Sequence, residues 1–368
     1  MAAPALKRLE RAWKSLWMRG LARLLPRSRG DIPDWGARPF KVLYMRYDRI
    51  GDMILATPLI RAIATSHPTI TVDVLASPAN APVLDGNPHV HRVHRFAAKD
   101  KSGYWRTLRA LRRERYDAVV DDHAAVRKAS LTMIFVMLAT GARHRIGVSG
   151  QENEFIYTIP VQPAPPGHQL EMAAVIAPVF GVQPDLERWR PQIALSDDER
   201  SRANERWREI ESRAGTSRRR LLMNVSAAIA KRRWPGERYI AVGREIRRRH
   251  PDLAIAVIGA PGEREIVRAV AGAANATAVE TPRVRDAFAL VAAADAVFTP
   301  DTSITHAAVA FDVPVALFIL TSSDAYVPWR TEHRLVWVRE RSFADLPAEP
   351  VIEALDDLLS VVEPRVRA

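Results

Sequence analysis

Short apolar runs alternate with longer stretches of helical periodicity along most of this chain. Residues 41–47 (KVLYMRY) have strand composition, a Gly-Asp turn follows, and the spacing predicts a helix from about 53 to 66. Residues 70–76 (ITVDVLA) alternate like a strand, 104–115 read as a basic helix, and 117–121 (DAVVD) as a buried strand. A helix at 126–139 and a strand at 145–148 come next. A proline-rich loop at 160–167 leads into a helix from 168 to about 180. Beyond the polar, proline-bearing passage 183–198 the rhythm restarts with strand 221–226, helix 237–249, strand 253–259 and helix 262–273. Helix 285–293, strand 296–299, helix 302–311 and strand 313–319 complete the second series.

Such alternation predicts an α/β protein with two doubly wound, Rossmann-like parallel sheets, each covered on both faces. The divisions expected are an arm and linker at 1–38, a first domain at 39–190 and a second at 191–345. A C-terminal helix at 346–368 follows, for which packing back on the first domain is one placement. No sequence repeat relates the halves. Open parallel sheets bind ligands outside the carboxyl ends of their strands, so residues just after strands carry the functional argument.

Charge changes the picture at one end. The net charge is +12, yet residues 1–30 hold eight Lys/Arg against Glu10 alone, which leaves +5 for the other 338 residues. Leu6, Leu9, Trp13, Leu16, Trp17, Leu21, Leu24 and Leu25 recur between those charges at helical spacing. A basic helix with a Trp/Leu face suits an anionic membrane surface, or docks on the protein's own body. Charges interrupt every apolar run, so neither a signal peptide nor a spanning helix is expected. No nucleic-acid motif accompanies the charge. The 368 residues contain no cysteine, which excludes disulfides and thiolate metal sites and fits a reducing compartment.

The first candidate site is the run from Arg46 to Pro58. Gly51 allows a tight turn and close approach to the backbone. Asp52 falls at a helix start, where the dipole favours its anion. It can accept a proton from an attacking hydroxyl, or simply cap the helix. Asp48 is a rival base that could instead pair with Arg46 or Arg49, and those arginines match an anionic acceptor. Here the chain resembles glycosyltransferase family nine, the lipopolysaccharide heptosyltransferases. The resemblance is carried by RYDRIGDMILATPLIRAI, HPTITVDVLASPANAPVLDGNPHV, YDAVVDDHAAVRKASL, GARHRIG, KRRWPGERY and VFTPDTSITHAAVAFDVPVALF, over roughly residues 40–325. It implies a GT-B fold, with two Rossmann-like domains facing across a cleft, and an inverting, metal-independent transferase using ADP-heptose. It implies Asp52 as catalytic base and Lys128 on the acceptor side, where Asp48, Arg49 and Gly51 are also expected. Asp121, Asp122 and His123 match the same acceptor-side region; as neighbours in one loop they are poor metal ligands.

The second candidate site runs from Pro300 to His306, after one strand and into a helix. Free backbone N–H groups at such a helix end seat a diphosphate, and Thr302 and Ser303 add hydroxyls. Asp301 can orient this loop or meet a sugar hydroxyl. By resemblance, Asp301, Thr302 and His306 match the family's donor motif, with Ser303 standing where that family usually has glycine. The alternative is a capped helix with a histidine packed at its base. Lys231 and Arg232 follow another strand and could neutralise a leaving diphosphate, with the choice between them open, or form a solvated basic turn. Glu263 and Glu265 follow a third strand, where a carboxylate could hold ribose hydroxyls or cap a helix. His168 opens a helix. Trp234 and Trp329 lie near strand ends, where packing is the commoner role.

The reading reached is a transferase moving a heptose, or a related sugar, from ADP-heptose to a lipopolysaccharide-core or similar acceptor. No cofactor is expected, the ADP-sugar being a substrate. The place expected is the cytoplasmic face of the bacterial inner membrane, with peripheral contact through the basic arm. A relative with another nucleotide sugar or acceptor, or a non-catalytic sugar-nucleotide binder, are the alternatives. A dehydrogenase is disfavoured because no G-x-G-x-x-G follows the first strand.

Overall fold

The computed structural model describes residues 30–97, 100–123, 131–150, 154–215, 219–227, 229, 232–339 and 342–365. The arm before residue 30, Lys128 and Lys231 lie outside the described residues. The chain divides into two compact units. One takes in the chain up to Asp48, Pro58–Ala81 and Pro88–Trp189. The other takes in Arg49–Thr57, Pro82–Asn87 and everything from Arg190.

The first unit's sheet contains β1 (Phe40–Arg46), β2 (Ile70–Ala76), β3 (Arg92–Arg95), β4 (Ala118–Asp121), β5 (His144–Val148) and β6 (Ile159–Val161). They run in the order β3-β2-β1-β4-β5-β6, all parallel. The second sheet contains β7 (Arg219–Asn224), β8 (Leu253–Ile258), β9 (Thr277–Ala278), β10 (Ala296–Pro300), β11 (Val315–Leu320) and β12 (His333–Val338). Its order, β12-β11-β10-β7-β8-β9, repeats the first sheet's topology, again with every pair parallel. This is the doubly wound arrangement, whose strand order reverses between β1 and β4 in one sheet and between β7 and β10 in the other. Central strands such as LLMN and LAIAVI are buried on both faces, which is why they read as unbroken apolar runs.

The helices are α1 (Ile50–Ser66), α2 (Lys101–Arg113), α3 (Leu131–Thr140), α4 (Gln169–Ala174), α5 (Asp197–Ala214), α6 (Gly236–Arg249), α7 (Arg264–Ala273), α8 (Val284–Ala292), α9 (Ser303–Ala310) and α10 (Glu349–Val361). Helix α1 starts three residues earlier than its periodicity predicts, so Asp52 lies inside its first turn rather than at its cap. Pro58 sits within it, where a helix loses one backbone donor. The single helix expected over 168–180 is two pieces, α4 and a 3₁₀ turn at Ala177–Phe180, which ends on left-handed Gly181. The expected linker is anchored at its end: buried Trp35 donates its indole N–H to Val179 O at 2.7 Å and stacks on Phe180. The closing helix α10 belongs to the second unit, where Leu355 and Leu358 are fully buried with Phe343 and Trp234.

Candidate active site

At the reversal point of the second sheet, polar side chains close the carboxyl ends of β7 and β10. Asn224, the last residue of β7, donates from Nδ2 to the hydroxyls of Thr299 (2.9 Å) and Thr302 (3.2 Å). Its Oδ1 accepts from the hydroxyl of Ser226 at 2.8 Å. Thr302 caps α9, its hydroxyl accepting from Ile304 N. The capped, eight-residue helix therefore presents its positive end at this loop. Ser303 opens the helix and is not among the residues with positive φ, so a serine fits here without a left-handed backbone.

Asp301 lies beside that helix end and is almost wholly buried. Arg232 Nη1 stands 2.9 Å from its Oδ2 and donates to its carbonyl at 3.1 Å. The carboxylate contact is an ion pair lacking hydrogen-bond alignment, since Oδ2 accepts no hydrogen bond. Arg232 Nη2 reaches the Ser323 hydroxyl at 3.3 Å. Burial pushes the Asp301 carboxyl above its usual range; the charges of Arg232 and Arg49 oppose this, and that of Asp52 adds to it. Arg49 and Asp52 thus share an electrostatic environment with Asp301 within one unit. Gly51 completes the group. A Cβ there would come within 2.6 Å of His306 Cδ2, so the imidazole lies directly against the backbone that carries Asp52.

The assignments near β8 fare differently. Glu263 Oε2 accepts from Ala260 N at 3.1 Å and so closes a short turn, and Glu265 is exposed in the first turn of α7. A pocket beyond the ends of β8 and β9 is lined by neither of them. Glu280 lines it, with Arg264 and Arg268 at 3.6 and 3.8 Å from its carboxylate. Nothing in the short segment TAVE distinguished Glu280 in the sequence. His168 caps α4 in a capping box with Glu171, and Trp234 is core, its N–H donating to Leu346 O at 2.8 Å. Both are structural.

In the first unit, the reversal point between β1 and β4 holds a second ionic group. Buried Arg46 donates to Asp122 Oδ1 at 2.7 Å and stands 3.1 Å from Asp48 through Nε. Tyr44 also donates to Asp122. Asp121 accepts from Tyr157 at 2.7 Å and pairs with His123 Nδ1, whose other ring nitrogen is 3.7 Å from Asp48. Burial disfavours charge on His123, but the Asp121 carboxylate and its hydrogen bond outweigh that and hold the imidazolium up at about 9. Asp48 therefore stands among cations, whereas Asp52 belongs to the group around Asp301. Among the described residues no cluster of three or more His, Asp or Glu is arranged to hold a metal ion.

Two doubly wound parallel sheets, with polar and charged side chains gathered at their reversal points, give this chain the GT-B fold of the solved heptosyltransferase structures. The family model "Glycosyltransferase family 9 (heptosyltransferase)" matches residues 104–353, more than half of the chain, and the chain belongs to that family. It is 22% identical over 337 residues to lipopolysaccharide heptosyltransferase 3 of Escherichia coli, covering 84% of this chain and 96% of that one. A glycosyl transferase family 9 structure from Veillonella parvula superposes with a TM-score of 0.74 at 16% identity, covering 88% of this chain and 98% of that one. E. coli ADP-heptose lps heptosyltransferase II gives 0.68 at 19% identity, covering 87% and 99%. E. coli heptosyltransferase WaaC with ADP-2-deoxy-2-fluoro heptose gives 0.67 at 17% identity, covering 86% and 99%.

Proposed function

We propose that this transferase moves a heptose from ADP-heptose to a lipopolysaccharide-core acceptor, by single displacement at the anomeric carbon with inversion. The observation that carries the reading is the shared environment of Asp52, Asp301 and Arg49 at the capped start of α9. Asp52 takes the proton of the acceptor hydroxyl as its oxygen forms the new bond to carbon. The bond from that carbon to the diphosphate breaks on the opposite face, and ADP leaves with the electron pair. The start of α9, the hydroxyls of Thr302 and Ser303, and Arg232 with its neighbour Lys231 stabilise the charge that develops on the diphosphate. Asp301 holds Arg232 in place, and His306 lies below the Asp52 turn.

The names of the relatives support the donor and acceptor chosen, one being a lipopolysaccharide heptosyltransferase and another carrying an ADP-heptose analogue. On this reading Glu280 replaces Glu263 and Glu265 as the carboxylate nearest a nucleoside, because it lines the pocket past β8 and β9. Asp48, Arg49 and Lys128 would face the acceptor. The basic arm, 1–38, would hold the enzyme at the cytoplasmic face of the inner membrane.

The test is a thermal-shift titration with ADP, UDP, GDP and CDP, since a ligand binding only the folded state must raise its melting temperature. Stabilisation by ADP alone, retained in Asp52→Ala, is expected. A preference for UDP, GDP or CDP would overturn the ADP-sugar donor, and no response to any would point to a scaffold that has lost its substrate.

A further inference from the structure

The exposed side of α2 is unusual for a helix packed on a soluble core. The helix, KSGYWRTLRALRR, holds five basic residues and no acidic one. Leu108 and Leu111 are buried in the first unit's core with Tyr104 packed beside them, which fixes the inner face. At about 100° per residue, Trp105, Arg106, Arg109, Arg112 and Arg113 then share one outer arc of roughly 120°. All five are exposed, and Trp105 presents 62% of its surface to solvent. Arg112 bends back over the end of α3, where a Cβ on Gly141 would meet its guanidinium. Arg106 has one loose partner, Asp100, at 3.8 Å and largely exposed. Arg109 and Arg113 have no carboxylate partner among the described residues. The neighbouring α3 exposes Phe135 at 42%.

A charged outer face alone would be ordinary solvation. An indole touching only the edge of Tyr104 and left 62% in water, on one face with Arg109 and Arg113, is not, because Trp buries most of its large surface when a partner is available. Trp and Arg side by side on one face are the pairing that suits the headgroup level of a bilayer, the indole entering the interface while the guanidinium groups meet phosphate. We propose that the outer face of α2 is a docking surface for an anionic phospholipid bilayer. Its residues are separate in sequence from the basic arm. The inference deepens the reading of a membrane-borne acceptor, but its test reads lipid contact and not turnover, so the two can fail separately.

The chain has no cysteine, so Trp105→Cys supplies a single attachment point for an environment-sensitive fluorophore. With the full chain and phosphatidylglycerol-containing vesicles, the label's emission should move to the blue. It should stay put with pure phosphatidylcholine vesicles and revert in high salt. In unlabelled protein, changing Arg106, Arg109 and Arg113 together to Gln should weaken co-sedimentation with the anionic vesicles by on the order of a hundredfold, each charge near the surface being worth about a factor of five. Two results overturn the proposal. One is unchanged emission from protein that nevertheless sediments with anionic vesicles, which would leave the arm as the whole attachment. The other is an equal shift with neutral vesicles, which would remove the arginines from the argument.

Discussion

A methyl group on Gly51 would stand 2.6 Å from Cδ2 of His306. The turn that carries Asp52 is thus in van der Waals contact with a buried side chain of α9, although 255 positions separate the two in sequence. The glycine is required for this close approach rather than for a special backbone angle, since its φ is not in the positive range. Gly51→Ala is therefore expected to displace His306 or the first turn of α1. The cost should be about 1–3 kcal/mol of stability, typical of overpacking a filled site. Donor-dependent thermal stabilisation should fall with it. Unchanged melting and unchanged nucleotide response would show that the two elements are not held together in this way.

Arg232 makes a second testable connection. It stands 2.9 Å from the buried Asp301 carboxylate, and it also reaches the Asp301 carbonyl and the Ser323 hydroxyl. Arg232→Ala leaves Asp301 without that cation and should drive its carboxyl further up, at a cost of roughly 3 kcal/mol for breaking a buried pair. Arg232→Lys restores the charge but not the fork, so urea unfolding should rank wild type above Lys and Lys above Ala. Equal stability of Ala and wild type would remove Arg232 from the site's support.

Much of the fold was legible and the reason is physical. Strands in the middle of a parallel sheet must be apolar on both faces, so β1, β4, β7, β8, β10 and β11 announced themselves. The edge strands did not: β3 is RVHR, β9 is two residues long, and β6 lies partly within the segment expected to be a proline-rich loop. A strand paired on one side only needs no unbroken apolar run. Strand β12 was missed for the same reason, its residues being mostly half-buried. In the candidate site, Asp52, Asp301 and His306 stood out because each follows a strand inside a recognisable motif. Asn224 and Ser323 did not, since a single polar residue after an apolar run looks alike in any strand. Adjacency did not separate Arg232 from Lys231, and Lys231 lies outside the described residues.

His123 gives a pH dependence of defined sign. Its folded value, about 9, is above that of an ordinary histidine because the Asp121 carboxylate outweighs burial. A raised value means the folded state holds the proton more tightly. The contribution is complete below the unfolded value, near 6.5, and is lost as pH rises through 9. Urea midpoints should therefore fall between pH 7 and 9.5, by at most about 3 kcal/mol in stability. His123→Gln should flatten that part of the profile. An identical decline in the variant would assign the loss to other groups.

Arg285 spends all five of its N–H donors. Two go to Glu199, both at 2.5 Å, and the others go to the carbonyls of Pro82 (2.8 Å), Asp85 (3.2 Å) and Ala194 (2.7 Å). Those bonds hold Glu199 down at about 2 and tie the Pro82–Asn87 segment into the second unit. A lysine supplies one point charge and cannot make this pattern. Arg285→Lys is expected to cost about 3 kcal/mol and to speed hydrogen exchange at residues 82–87. Exchange at the wild-type rate would show that the segment is secured elsewhere.

The central claim is that Asp52 takes the acceptor's proton during sugar transfer. ADP release from ADP-heptose in the presence of a lipopolysaccharide-core acceptor, followed for wild type and Asp52→Asn, tests it directly. In the variant kcat should fall by about 10²–10⁴-fold, while ADP still raises its melting temperature as it does for wild type. Turnover within a few-fold of wild type would contradict the assignment of Asp52 and leave the site's proton acceptor to be found elsewhere.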